Sequence, residues 1–112
     1  MQSDGDVLNI AEIPHENGNP RFRYSRYLSP DSKTWIRHGL FHAFHPNGQL
    51  ASEGEYEDGL ENGLWKDYHE HGRPAAEGRF KAGKKDGVWH YWDEEGQPEE
   101  NEEYVEGVLV QR

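Results

Sequence analysis

The chain has no cysteine among its 112 residues, which excludes a disulfide framework, a thiolate zinc site and a cysteine nucleophile, and leaves the redox compartment open. Long apolar runs are missing too. No stretch approaches the roughly 20 residues a membrane helix needs, and the start has no basic-then-apolar leader, so the chain is read as soluble and cytoplasmic. Basic residues are scarce: 12 Lys and Arg stand against 22 Asp and Glu, a formal charge of −10. With a pI near 5.0, the chain lacks the bulk basic character that nucleic-acid binding draws on, and a basic protein partner is the more natural expectation. Aliphatic residues are also few. Leu, Ile, Val and Phe make up 19 of 112 residues, under the roughly 20% at which a highly charged chain is expected to be disordered.

Against this stand 14 aromatic residues, four Trp, six Tyr and four Phe, the side chains that bury most area and that disordered chains lack. Their spacing resolves the conflict. At an offset of 24 residues, HGLFHAFHPNGQLASEGEYEDGLE, NGLWKDYHEHGRPAAEGRFKAGKK and DGVWHYWDEEGQPEENEEYVEGVL align as a tandem repeat. Gly39, Gly63 and Gly87 open the units, followed two residues on by Phe41, Trp65 and Trp89. A second ring column is Phe44, Tyr68 and Trp92, then come Gly48, Gly72 and Gly96. Glu53-Gly54 and Glu77-Gly78 recur, with Asn101-Glu102 in their place in the third unit, and Tyr56, Phe80 and Tyr104 form a third ring column before Gly59, Gly83 and Gly107.

Each unit reads as one β-hairpin: an aromatic strand, a turn, a second strand and a glycine-containing link. In His45-Pro46-Asn47-Gly48 proline presets φ, asparagine tolerates the next position and glycine takes a left-handed one. The first two ring columns lie three residues apart, so either both faces of the sheet carry rings or the strand is kinked. Gly54 and Gly78 are expected to let a neighbouring ring lie over bare backbone. Residues 21–38 read as a capping hairpin, a degenerate repeat, because an end unit must cover its neighbour's aromatic face. Residues 1–20 read as a flexible N-terminal arm, with an edge strand as the alternative. Residues 39–112 hold the three units, ending in a cap strand at Val108–Val110.

The segments EGEYEDGLENGLW (53–65) and EGRFKAGKKDGVW (77–89), with YHEHG, YWDEEG and PNGQLASEG, resemble the MORN-repeat variant family over roughly 38–110, and more weakly over 21–37. The resemblance implies an all-β fold, hairpins stacked edge to edge into one elongated, twisted antiparallel sheet. It also implies the antitoxin role with which bacterial members of the variant family are commonly labelled. Function has to be argued from the site, since a scaffold hosts many activities.

No catalytic constellation is legible. The hydroxyls Ser3, Ser25, Ser29, Ser32, Thr34 and Ser52 sit in no nucleophile elbow, and Glu53 and Glu77 read as a cross-strand column rather than an acid and base pair. No glycine run has the strand, GxGxxG, helix context of a phosphate cradle. Histidines at 38, 42, 45, 69, 71 and 90 invite a metal reading. Because His42 aligns with Lys66 and His90, and His45 with His69 and Asp93, they read instead as variable, solvent-facing columns, with no metal and no cofactor expected.

Charge is concentrated. Asp93 to Glu106 contains eight acids and no base, either a solvated face that keeps the sheet soluble or a steering surface for a basic protein. The expected partner surface is Asp93, Glu94, Glu95, Glu99, Glu100, Glu102 and Glu103, with Trp92 as an aromatic anchor. The expected function is a non-enzymatic protein-binding module, an antitoxin or immunity-type inhibitor that occludes a basic toxin, without direct nucleic-acid contact. Membrane docking is not expected, since anionic lipid repels such a chain. The alternative is an assembly module that pairs copies through sheet edges or an aromatic face, with a homodimer as one form.

Overall fold

In the computed structural model, residues 8–111 are described. They form nine strands: β1 (Asn9–Pro14), β2 (Pro20–Leu28), β3 (Trp35–Phe44), β4 (Leu50–Glu57), β5 (Leu60–Tyr68), β6 (Pro74–Lys81), β7 (Lys84–Tyr91), β8 (Glu102–Val105) and β9 (Val108–Gln111). The strands lie in chain order in one antiparallel sheet, every neighbour joined as a hairpin and the sheet not closed into a barrel. The described residues contain no helix long and apolar enough to cross a membrane.

Two kinds of turn alternate along the sheet. At one end the links are Asp58-Gly59, Ala82-Gly83 and Glu106-Gly107, with φ of 50° and 90°, 50° and 83°, and 51° and 85°. Two successive positive φ values make type I′ turns, whose twist matches that of the flanking strands and whose second position suits glycine. At the other end are the longer turns of the expected His-Pro-Asn-Gly type. In the first, Gly48 has φ of 91°, its N–H donates to His45 O, and the His45 N–H donates to Gln49 O at 2.8 Å.

The core is one row of rings on one face. Phe41, Trp65 and Trp89 are buried, with Phe22, Tyr24, Ala43, Tyr56, Phe80, Tyr91 and Tyr104 packed against them. Centroid distances run from 5.1 Å for Phe80–Trp89 to 5.9 Å for Tyr24–Phe41, in the tilted and edge-on range that favours aromatic pairs. A single layer of large rings thus replaces the aliphatic centre the composition lacks. Gly54 and Gly78 are where the row meets the backbone. A Cβ built on Gly54 would fall 2.2 Å from Trp65 Cδ2, and one on Gly78 would fall 2.1 Å from Trp89 Cδ2, so each indole lies on bare backbone as the spacing implied. Each indole N–H also donates to a backbone carbonyl ten residues earlier, Trp65 to Glu55 O at 3.0 Å and Trp89 to Arg79 O at 3.1 Å.

The three-residue spacing of the first two ring columns is resolved by both faces carrying rings. Ala43 joins Phe41 on the core face, while Phe44 lies beside His42 at 6.3 Å and Trp92 beside His90 at 6.2 Å on the other.

The flexible arm expected over residues 1–20 needs correction. Residues 9–14 form β1, paired in register with β2 from Asn9↔Arg26 to Pro14↔Pro20, and residues 1–7 lie outside the described residues. The reason is a further copy of the hairpin. His15-Glu16-Asn17-Gly18 stands to His45-Pro46-Asn47-Gly48 at an offset of 30 rather than 24 residues, because the β2–β3 connection has six residues (29–34) where the I′ links have two, and β2 and β3 are each one residue longer than β4 and β5. Residues 21–38 hold the closing end of the β2–β3 hairpin, with Arg26↔Arg37, Tyr27↔Ile36 and Leu28↔Trp35 paired inside the span, while β2 also pairs back to β1 and β3 runs on to Phe44.

Candidate functional site

The third unit departs from the repeat where the acids are densest. In the first two units the second strand has eight residues, but β8 has four. Pairing begins on register with the bridge Trp92↔Pro98 and the Glu99 N–H donating to Tyr91 O at 2.8 Å, then lapses until Trp89↔Glu102. Pro98 occupies the place of Pro74, which opens the full-length β6, so the difference lies after it: Glu99, Glu100 and Glu102 stand where the second unit has Ala75, Ala76 and Gly78. The result is a loop from Trp92 to Asn101 that carries anionic side chains outside the sheet.

The expected acidic residues divide by what they touch. Asp93 is half-buried and its Oδ1 accepts the N–H groups of Glu95 and Gln97, both at 2.9 Å, so it builds the turn. Glu102 is half-buried on the ring face, where its Oε1 accepts the Tyr91 hydroxyl at 2.8 Å and the Tyr104 hydroxyl at 2.9 Å. Glu94, Glu95, Glu99, Glu100 and Glu103 are exposed. Among the described residues the ion pairs are Arg23–Glu12 at 2.8 Å and His38–Asp58 at 3.4 Å, so these five carboxylates have no cationic side chain within reach.

Two shallow hollows flank the loop. One of about 440 Å³ is lined by Tyr91, Glu99, Glu100 and Glu102. The other, about 410 Å³, is lined by His69, Trp92, Asp93, Glu94, Glu95 and Glu99. Trp92 is half-buried, with the His90 ring stacked on it at 26°, so one aromatic edge and four exposed glutamates belong to the same end of the sheet. Burial first, then the Glu102 carboxylate, holds the Tyr91 hydroxyl protonated well above the ordinary tyrosine range. Tyr104 is raised as well, by its hydrogen bond to Glu102 first and burial second.

Lys85 shows how the ring face handles a cation. Its Nζ lies 4.7 Å from the Trp89 centroid and 5.1 Å from that of Tyr104, and donates to the Tyr91 hydroxyl at 3.3 Å. Aromatic faces attract cations through their quadrupole, so this lysine belongs to the ring row rather than to solvent.

The reading of His45 and His69 as solvent-facing is overturned. His45 Nε2 bonds to Tyr68 O at 2.8 Å and His69 Nε2 to Trp92 O at 2.9 Å, and the unexpected His15 does the same to Phe44 O at 2.8 Å. A carbonyl only accepts, so each Nε2 carries its hydrogen, and every turn is tied to the next unit. Asn17 and Asn47 repeat the tie, donating to Pro46 O and Glu70 O. Asp93 ends the column at the last turn. Among the described residues, no three or more His, Asp or Glu side chains converge in a metal-like group.

Residues singled out by the structure alone include Leu40, Leu64 and Val88, exposed at 56%, 41% and 46%, a 24-residue column on the face opposite the core row. It recurs at the same 24-residue period as the rings. Arg26, Trp35 and Arg37 come together at the β2–β3 end, which depends on cross-strand register and was not visible in residue spacing.

Residues 37–58, the β3–β4 hairpin, match the family model described as MORN repeat variant. No curated protein and no solved structure matches the chain. MORN repeats are in general protein- or membrane-binding modules.

Proposed function

We propose that this MORN-type hairpin array is a protein-binding module without chemistry of its own, whose acidic end captures and occludes a basic partner protein in the manner of an antitoxin or immunity protein. The observation that carries the reading is the lapse of pairing between Trp92 and Asn101, which presents Glu94, Glu95, Glu99 and Glu100 beside a half-buried Trp92. Unpaired like charges on a projecting loop do little for the fold and much for long-range attraction, because steering depends on the summed field rather than on single contacts. Trp92 supplies apolar area of the kind that anchors interfaces. The test is capture from the native host by the wild-type chain and by a variant with Glu94, Glu95, Glu99 and Glu100 changed to Gln. A basic protein retained by the first and lost by the second supports the reading. Recovery of the same proteins by both, unchanged at about 0.5 M salt where the Debye length is only a few ångströms, counts against it.

A second reading, self-association through sheet edges, is favoured by one observation. The outer strand β9 leaves Val108, Leu109 and Val110 exposed at 63%, 43% and 54% on an edge without charged gatekeepers between them, and such an edge can template pairing with another chain. Light scattering separates the two: a stable dimer of the isolated chain that Leu109→Lys disperses supports assembly, and a monomer at all concentrations removes it.

A further inference from the structure

Arg26 on β2 and Arg37 on β3 are directly opposite one another in register. Like charges in that relation are destabilising, and the chain has ample acid to avoid it, with 22 Asp and Glu to 12 Lys and Arg. The equivalent pairs in the next two hairpins are Tyr56↔Glu61 and Phe80↔Lys85, a ring facing one charge. Among the described residues neither arginine is in an ion pair; those present involve Arg23 and His38 instead. The nearby Asp58 already accepts the Tyr27 hydroxyl at 2.7 Å and lies 3.4 Å from His38 Nδ1.

Both guanidinium groups are held in place by rings. Arg26 Cζ lies 4.0 Å from the Trp35 centroid and its Nε donates to Asn9 Oδ1 at 3.0 Å. Arg37 Cζ lies 4.7 Å from Tyr24 and 5.4 Å from Tyr56, whose hydroxyl accepts from Nη1 at 3.3 Å. Each guanidinium has five N–H donors, so these contacts leave most of both forks available. They open on a hollow of about 470 Å³ whose lining also includes Tyr24, Trp35, Ile36, Gly59 and the Asp58 carboxylate that Tyr27 and His38 engage at its rim. Trp35 is 46% exposed and begins the strand after the lengthened β2–β3 connection, the one place where the array departs from its two-residue turns on this side.

We propose that Arg26 and Arg37 form a binding site for a dianionic oxyanion of the soluble phosphate-monoester class, seated between the two guanidinium groups with Trp35 and Tyr24 as its walls. With Asp58 engaged by Tyr27 and His38, a phosphate can offer oxygens to both forks at once, whereas a single carboxylate has only two oxygens to share between them. Planar forks oriented in advance lose less freedom on engaging phosphate oxygens than flexible lysines do. The hollow has room for the group the phosphate is attached to.

The test is a 1H–15N titration of the full chain with inorganic phosphate, ionic strength held constant with sodium chloride. The expected result is a saturable shift confined to the Arg26 and Arg37 side-chain N–H signals and the Trp35 indole. Arg26→Gln should weaken phosphate binding at least about tenfold, the worth of a charge-assisted hydrogen bond, and Trp35→Leu, at a half-exposed position, should weaken it as a second and milder variant. Arg23→Gln, which removes the Glu12 partner, should leave it unchanged, and acetate should bind at least about tenfold more weakly than phosphate. Shifts that do not saturate, a phosphate affinity indifferent to both Arg26→Gln and Trp35→Leu, or acetate binding as tightly as phosphate would each overturn the assignment. Sedimentation with phosphatidic acid vesicles completes it: no retention is expected, and retention that Arg26→Gln abolishes would overturn the soluble source.

Discussion

Replacing Gly54 by Ala adds one methyl group to a backbone position that L-residues can adopt, so its whole cost is the indole lying above it. The new Cβ would sit 2.2 Å from Cδ2 and Cε2 of Trp65 and 2.6 Å from Cγ, against the roughly 3.5–4.0 Å of a normal carbon contact. The ring must therefore retreat by more than about 1 Å. It is 7% exposed, packed on Phe41 at 5.6 Å, Tyr56 at 5.4 Å and Phe80 at 5.8 Å, and tied to Glu55 O at 3.0 Å. Overpacking costs about 1–3 kcal/mol, a lost hydrogen bond about 1 kcal/mol and disturbed ring pairs several tenths each, so Gly54→Ala should destabilise by about 3 kcal/mol. Gly63→Ala is the contrast. Its Cβ would meet nothing within 4 Å, but its φ is 81°, and the left-handed penalty alone predicts about 1–2 kcal/mol. Equilibrium urea unfolding, read as a change of midpoint at constant slope, measures both. The decisive step is the double mutant: once Trp65→Ala has removed the ring, Gly54→Ala should cost less than about 0.5 kcal/mol, a strong coupling between residues in contact. A cost of about 1 kcal/mol or less for Gly54→Ala, or the same cost with and without Trp65, would refute the ring-on-backbone account.

Two further outcomes follow from the ladder and the buried hydroxyls. His45→Ala leaves the Tyr68 carbonyl without its partner and should lower stability by about 1–2 kcal/mol, while His71→Ala, on an exposed side chain, should stay within about 0.5 kcal/mol in the same unfolding assay. Tyr68 is pushed up to about 12, by burial first and its Glu53 partner second. Because the unfolded chain releases that proton near 10, the folded state binds more protons above pH 10, and linkage makes stability fall as pH rises from about 10 toward 12. Urea midpoints across that range should drop, and drop less steeply in Tyr68→Phe. An identical slope in the two chains would remove Tyr68 from the account.

How much of this was legible in the sequence depended on what repeats. Phe41, Trp65 and Trp89 recur at one period and fill equivalent places, so the single ring row and the roles of Gly54 and Gly78 could be read from spacing. The hairpin of β1 and β2 could not, because the longer β2–β3 hairpin, with four extra residues in its connection and one in each strand, shifts the His15-Glu16-Asn17-Gly18 turn to a different offset. The histidines misled for a chemical reason. His45, His69 and Asp93 share a column without sharing a role, since a carbonyl of a following unit is available to the first two and the last turn instead closes on its own N–H groups. In the acidic run, composition showed the charge but not its division. Glu102 stands where the earlier units have glycine, directly opposite Trp89, which places its carboxylate among tyrosine hydroxyls. The Arg26 and Arg37 pair stayed hidden because register, not sequence distance, makes them neighbours.

The central claim, capture of a basic partner by the acidic end, is tested most directly by the association rate of the chain with its captured partner as a function of ionic strength. If Glu94, Glu95, Glu99 and Glu100 steer the encounter, that rate should fall steeply between low salt and about 0.5 M, and changing the four to Gln should slow it at least about tenfold at low salt while moving the dissociation rate far less. An association rate insensitive to both salt and the four substitutions would contradict the account.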